Sequence, residues 1–284
     1  KNTKKFCADL SKESEQDRQV QIFGASAAEL YKASRLLIEF GASGLNLNMG
    51  CQMPKIIKNG AGAALLRDLN SAKSAISACV KAADGKVPIS VKLRLGWDSF
   101  NTAELLSQLR DLGVNKVFMH GRLAVDKFSG PIRIDELKIA AQSSSVPFYA
   151  NGDIVDYKSA YKMAALPNCR GLMIGRAALG HPSLFAELAA DFNRHTKSGG
   201  AFEPQIEFAS YIPKFSLTLK QKMVAVQKHI ALAEQYVAAD ELSALYRLRR
   251  HLVAYNCLPP EAMSVSTFAE LKRLVAVAIQ TYFS

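Results

Sequence analysis

A β/α barrel followed by a small helical domain is the fold class that this sequence predicts, an α/β protein whose parallel strands are joined by crossover helices. Short β-rich runs alternate with amphipathic stretches from residue 18 to about residue 195, the pattern of repeated βα units. Polar or glycine-containing groups follow successive runs at the same place. Beyond about residue 205 the strand signal gives way to apolar residues three and four apart, the period of helices.

The first strand is expected over residues 19–23, with a helix over 27–40. The second, over 44–49, runs into Asn48-Met49-Gly50-Cys51 and is followed by a helix over 62–83. Residues 89–93 form the third, carrying Lys92 to Arg94 at its end, before a helix over 102–112. The fourth, 116–119, ends in His120-Gly121-Arg122. The fifth, 147–150, leads into Asn151-Gly152-Asp153 and a helix over 157–166, and the sixth, 171–174, into Gly175-Arg176. Each run is short and mostly apolar, as a strand buried on both faces should be. Six units suit a doubly wound sheet as well as a barrel. The strand ends favour the barrel, in which all of them converge at one mouth, where that fold keeps its active site. Helices over 212–237, 241–255 and 266–283 follow, and Gly199-Gly200 with Pro204 mark a linker. The expected domains are therefore 1–198 and 205–284. Arg247, Arg249 and Arg250, beside Tyr246, suit a phosphate backbone; a solvated helix face accounts for them equally.

With 284 residues, 49% hydrophobic and 21% charged, the chain can bury a large core. A net charge of +11 favours polyanionic partners such as nucleic acid. The five cysteines are widely spaced and form no CxxC pair or zinc-type cluster, which fits a reducing cytoplasm and no metal. No apolar run approaches the roughly 20 residues of a membrane helix, and no signal-type segment follows the basic start. The expectation is a soluble cytoplasmic protein.

Chemistry concentrates at the strand ends. Asn151-Gly152-Asp153 and Gly175-Arg176 occupy the usual phosphate site of a barrel, where glycines admit backbone N–H groups and Arg176 adds a charged fork. Tight turns chosen for geometry alone would look the same. Lys92 and Arg94 share one face of their strand; if that face is interior, the charges need a partner, and the negative pyrimidine ring of a reduced flavin would pair with Lys92. His120 is either a hydrogen-bonded structural histidine or a cofactor contact. Cys51 follows a strand terminus, placed to face a ligand. An ordinary thiol holds its proton at neutral pH and donates it as a general acid, whereas no His/Asp pair nearby suggests a nucleophile.

Taken together, Asn48-Met49-Gly50-Cys51 with Lys55 and Gly60-Ala61-Gly62-Ala63-Ala64-Leu65-Leu66, Val91-Lys92-Leu93-Arg94-Leu95-Gly96-Trp97, His120-Gly121-Arg122, Asn151-Gly152-Asp153-Ile154 and Ile174-Gly175-Arg176 resemble the tRNA-dihydrouridine synthase family, from about residue 19 through 195. Leu248-Arg249-Arg250-His251-Leu252 is a weaker echo. The resemblance implies a TIM-type (β/α)8 barrel carrying FMN, reduced by NADPH, that passes a hydride to carbon 6 of a uracil in tRNA while a cysteine protonates carbon 5. Cys51 matches that cysteine. Gln21, Lys92, His120, Asn151, Gly152, Asp153, Gly175 and Arg176 match residues that hold FMN, and Asn48 with Arg94 those that hold the uracil. The helical domain would grip the rest of the RNA.

The sequence departs from the family pattern twice. Gln52 stands where the family has proline after the cysteine. The family also begins with two further βα units, so the natural protein is expected to be longer than this chain. Two other readings stay open: a small-molecule flavin oxidoreductase of the dihydroorotate dehydrogenase type, and an RNA-binding relative without catalysis.

Overall fold

The computed structural model describes residues 19–195, 217–236 and 241–283. Six strands, β1 (Gln19–Ile22), β2 (Gly44–Met49), β3 (Ile89–Arg94), β4 (Lys116–His120), β5 (Phe148–Asn151) and β6 (Cys169–Met173), form one sheet. Every pair of neighbours is parallel, and their spatial order is their sequence order. A doubly wound sheet reverses direction partway; this one never does, and with helices between its strands it has the TIM-type β/α arrangement.

Composition predicts strands apolar on both faces, and the structure corrects that expectation. The strands alternate. Leu45, Leu47, Met49, Ile89, Val91, Leu93, Val117, Met119, Phe148 and Ala150 are buried and share one parity in the register. Helices follow the strands: α1 (Ala27–Glu39), α2 (Pro54–Lys58), α3 (Leu69–Ala83), α4 (Ala103–Gln108) and α5 (Ile134–Ser143); of these, α3 packs against β2 and β3. The other parity carries Gln21, Asn46, Asn48, Ser90, Lys92, Arg94, Lys116, His120 and Asn151. Period-two alternation in a parallel strand means that one face is reserved for something other than a hydrocarbon core.

The stretch expected as one helix over 62–83 is a 3-10 helix, Gly62–Arg67, and then α3. Asp68 makes the break: its side chain accepts from the backbone N–H groups of Asn70 (3.0 Å) and Ser71 (3.3 Å), an N-cap that starts a new helix. At the far end Asp84 takes the left-handed conformation, φ 49°. The helix after β5 is α6 (Tyr157–Ala164), and α7 (Leu184–His195) follows β6.

The chain forms two compact units, one reaching Asp153 with Tyr161–Met173, the other Ile154–Ala160 with the residues from Ile174 onward. The second includes α8 (Leu219–Tyr236), α9 (Glu241–Tyr255) and α10 (Phe268–Phe283). Its core joins Met223, Val226 and Ile230 of α8 to Leu245, Leu248 and Leu252 of α9 and Phe268, Leu271 and Val275 of α10. The expected linker at 199–204 and residues 212–216 and 237 of the first expected helix there lie outside the described residues. No described helix is long and apolar enough to cross a membrane, and the described residues hold no group of three or more His, Cys, Asp or Glu side chains placed to bind a metal ion.

Candidate active site

The polar face of the sheet is layered by its register. Asn48, Lys92, Phe118 and Tyr149 lie side by side across β2 to β5, and Arg94, His120 and Asn151 form the layer above at the C-terminal strand ends. The sequence-derived residues of the first unit thus share one rim or one face. They divide, however, between groups committed to the protein and groups left over.

Arg94 is committed. Only 3% exposed, it donates through Nε to the Gly50 carbonyl (2.9 Å) and through Nη1 to the carbonyls of Leu123 (2.9 Å) and Lys127 (3.0 Å). It ties the loop after β2 to the loop after β4. Burial, and then nearby Arg122, lower its pKa to about 10, so it stays a cation. Arg122, in turn, forms a two-pronged ion pair with Asp153, including Nη1 to Oδ1 at 3.1 Å, and donates from Nε to Gly130. Asn151 donates from Nδ2 to the Met173 carbonyl (2.6 Å). These three ties fix the rim.

Lys92 and His120 are left without such ties among the described residues. Lys92 makes no hydrogen bond or ion pair among the described residues, and burial together with Arg94 lowers its pKa to about 8. His120 is 7% exposed, and its Nδ1 is buried without a partner. Burial, then Arg94, Lys92 and Arg122, push its pKa down to about 3, so it is a neutral imidazole at pH 7. A buried polar group left unmade costs about 1–3 kcal/mol, and a buried ammonium costs more; both point to a polar or anionic ligand. Beside them Gly152 has φ 127°, and a Cβ there would lie 2.5 Å from Ile132 Cδ1 and 3.6 Å from His120 Cε1. Only glycine allows this backbone beside the imidazole.

Cys51 is held by its backbone. Asn48 Oδ1 accepts from the N–H groups of Gly50 (3.1 Å) and Cys51 (2.9 Å), and the Cys51 carbonyl accepts from Ala63 N–H (2.8 Å). Half-buried Cys51 contrasts with Cys79 and Cys257, which are buried. Gly62 closes the arrangement: its φ is 64°, and a Cβ would fall 2.6 Å from the Cys51 carbonyl oxygen. Gly62→Ala is therefore expected to cost upwards of about 1 kcal/mol and to displace Cys51. Thermal melting with alkylation of Cys51 followed by mass spectrometry checks this; an unchanged midpoint and alkylation rate would refute the close fit.

Gly175 and Arg176 belong to the second unit. Gly175 precedes the 3-10 helix Arg176–Ala178, its carbonyl accepting from Ala178 N–H (3.1 Å). Sequence reasoning gave no role to Asn46, Ser90 or Phe128. The last is 57% exposed, with its ring 5.5 Å from the Arg94 guanidinium and 6.4 Å from the His120 ring. No motif marks it, because the loop that carries it is positioned by Arg94.

The model of a family described as Dihydrouridine synthase (Dus) matches residues 1–275. The tRNA-dihydrouridine synthase B of Klebsiella pneumoniae is 37% identical over 173 residues, covering 60% of this chain and 53% of that protein. The protein of the same description from Escherichia coli (strain K12) is 36% identical over 173 residues, with the same shares of 60% and 53%. The Probable tRNA-dihydrouridine synthase 1 of Synechocystis sp. is 28% identical over 271 residues, 92% of this chain and 70% of that protein. The chain spans about half the length of the first two.

Proposed function

The chain belongs to the dihydrouridine synthase family, and from that premise we propose that the protein reduces uridine in tRNA to 5,6-dihydrouridine, with FMN as resident cofactor, NADPH as reductant and Cys51 as proton donor. One observation carries the reading furthest: a half-buried cysteine whose backbone is pinned by Asn48 stands on the same strand ends as an inward ammonium without a counter-charge and an imidazole with an orphaned nitrogen.

The residues present fit FMN. Lys92 offers its charge to an electron-rich ring, His120 Nδ1 offers a hydrogen-bonding site, and Gly152 brings backbone close without a side chain in the way. Gln21, Asn151, Asp153, Gly175 and Arg176 complete the proposed set. In it, Asn151 and Asp153 act through their ties to Met173 and Arg122, which shape the rim. When bound, FMN supplies the hydride that goes to carbon 6 of the uracil. Cys51 supplies the other half: its S–H bond breaks as a C–H bond forms at carbon 5. Asn48 uses one N–H and its oxygen within the protein and keeps a second N–H for a uracil carbonyl. Arg94 holds the loops that frame the ring. A uridine within folded RNA must leave its stack to reach these groups, and the net charge of +11 favours the approach of the polyanion. The helical domain at 205–284 would bind the remaining tRNA, in the cytoplasm.

The test is an absorption spectrum of the full-length protein, followed anaerobically by NADPH and then unmodified tRNA. Flavin bands that bleach and then return are the expected result. Bands that bleach but ignore tRNA would sink the RNA substrate, and absence of flavin would sink the cofactor.

A further inference from the structure

From Cys51 a single file of hydrogen bonds crosses three strands. Cys51 N–H donates to Asn48 Oδ1 (2.9 Å), Asn48 Nδ2 to Gln21 Oε1 (2.8 Å), Gln21 Nε2 to Asn46 Oδ1 (2.7 Å), and Asn46 Nδ2 to Ser90 Oγ (2.9 Å). The Ser90 hydroxyl then donates to the Leu45 carbonyl (3.2 Å). We propose that Ser90 is a positioning residue for Cys51, acting through this chain of three amides to fix how Asn48 presents its oxygen to the thiol-bearing loop.

The polarity of the file is set at both ends by backbone. The N–H groups of Gly50 and Cys51 can only donate, and the carbonyl of Leu45 can only accept. Every amide between them must therefore point its oxygen toward Cys51 and its nitrogen toward Ser90. A hydroxyl is the one small side chain that can end such a file, because it accepts from Asn46 while donating onward. Burial makes the direction costly to reverse: Asn46 is 8% and Ser90 2% exposed, so an amide that turns leaves donor facing donor out of water. The file also leaves the second N–H of Gln21 and of Asn48 without a partner among the described residues. Both are held in one orientation for acceptors above the sheet.

Without the hydroxyl, Asn46 Nδ2 loses its acceptor. It must stay unpaired or turn toward the Leu45 carbonyl, withdrawing Oδ1 from Gln21 and loosening the amides beyond. The activity readout rests on the function proposed above, while the geometry does not, so two measurements are needed on the full-length protein. Ser90→Ala is expected to lower kcat for uridine reduction about tenfold, the equivalent of one buried hydrogen bond, with KM for tRNA unchanged. It is also expected to raise the rate at which iodoacetamide alkylates Cys51, read by mass spectrometry of its peptide. Ser90→Thr, which keeps the hydroxyl, should restore both, and Ser90→Ala should add nothing to Asn46→Ala. Should Ser90→Ala fail to fold, Gln21→Ala breaks the same file at an exposed position by removing the link between Asn46 and Asn48, and must raise alkylation as well. Wild-type alkylation in these variants, a threonine as impaired as the alanine, or additive losses would each overturn the inference. If the unsubstituted protein reduces no uridine, the functional reading fails, yet the alkylation contrast still decides the role of Ser90.

Discussion

Cys51→Ala is expected to lower the rate of uridine reduction by at least about 100-fold, the lower range of what a positioned acid contributes, while leaving flavin content and reduction by NADPH close to those of the unsubstituted protein. The separation follows from geometry. The ties that hold this loop run to the backbone of residue 51, from Asn48 Oδ1 and Ala63 N–H, so removing the thiol removes a proton source without releasing the loop. The unpaired groups that suit the cofactor, Lys92 and His120 Nδ1, lie on β3 and β4. Stopped-flow mixing of pre-reduced protein with unmodified tRNA separates the two halves. Reoxidation by tRNA at the normal rate in the variant would remove Cys51 from the reaction. Loss of flavin would instead make it a structural residue.

Replacing Lys92 by methionine should act in opposite directions on the two forms of the protein. With a pKa near 8 in the fold against an ordinary 10.5, the ammonium penalises the flavin-free fold fully below pH 8, and the penalty lifts as pH rises from 8 to 10.5. Lys92→Met is thus expected to raise the melting midpoint of flavin-free protein at pH 7, with the advantage fading toward pH 10. Affinity for FMN should fall tenfold or more, the scale of a lost hydrogen bond to a charged group. Melting curves at both pH values and a flavin titration measure the two effects. A variant less stable at pH 7 would show that the ammonium already has a counter-charge in the folded protein.

Much of the fold is legible in the sequence because its punctuation is strong. Gly44 opens β2 and Gly50 follows it, and the expected and observed bounds coincide. β3 and β4 run one residue further than hydropathy suggests, because Arg94 and His120 are still paired in the ladder although they look like loop residues. The break at Asp68 is an ordinary cap signal obscured by the alanine-rich stretch around it. The polarity of the sheet's inner face was hidden differently: in runs of four to six residues, Asn and Ser among Leu and Val read as tolerated exceptions until the register aligns them.

The candidate site is less legible. That Lys92 and Arg94 share a face follows from strand period alone. That one is unpaired while the other grips three carbonyls depends on the loops of Gly50 and of 123–127, which are distant in sequence. Gln21, Asn46 and Ser90 lie on three different strands, and only the register reveals that they touch. The family resemblance singled out Cys51 and Asn48, but not that an amide oxygen on β2 is what holds the loop.

The order of the strands has a consequence for how the protein is made. Each strand pairs with its neighbours in sequence, so the loops that must close are those of successive βα units, such as Leu45 to Ile89 or Phe148 to Cys169. Among the six described strands none must wait for a partner distant in sequence, which keeps the entropic cost of each closure small. The sheet can therefore be assembled in the direction of translation, each unit docking on the one before as it leaves the ribosome. The pinned Cys51 loop and the first four members of the amide file would be complete once β2 and the helix at Gly62 have emerged, with Ser90 joining as β3 arrives.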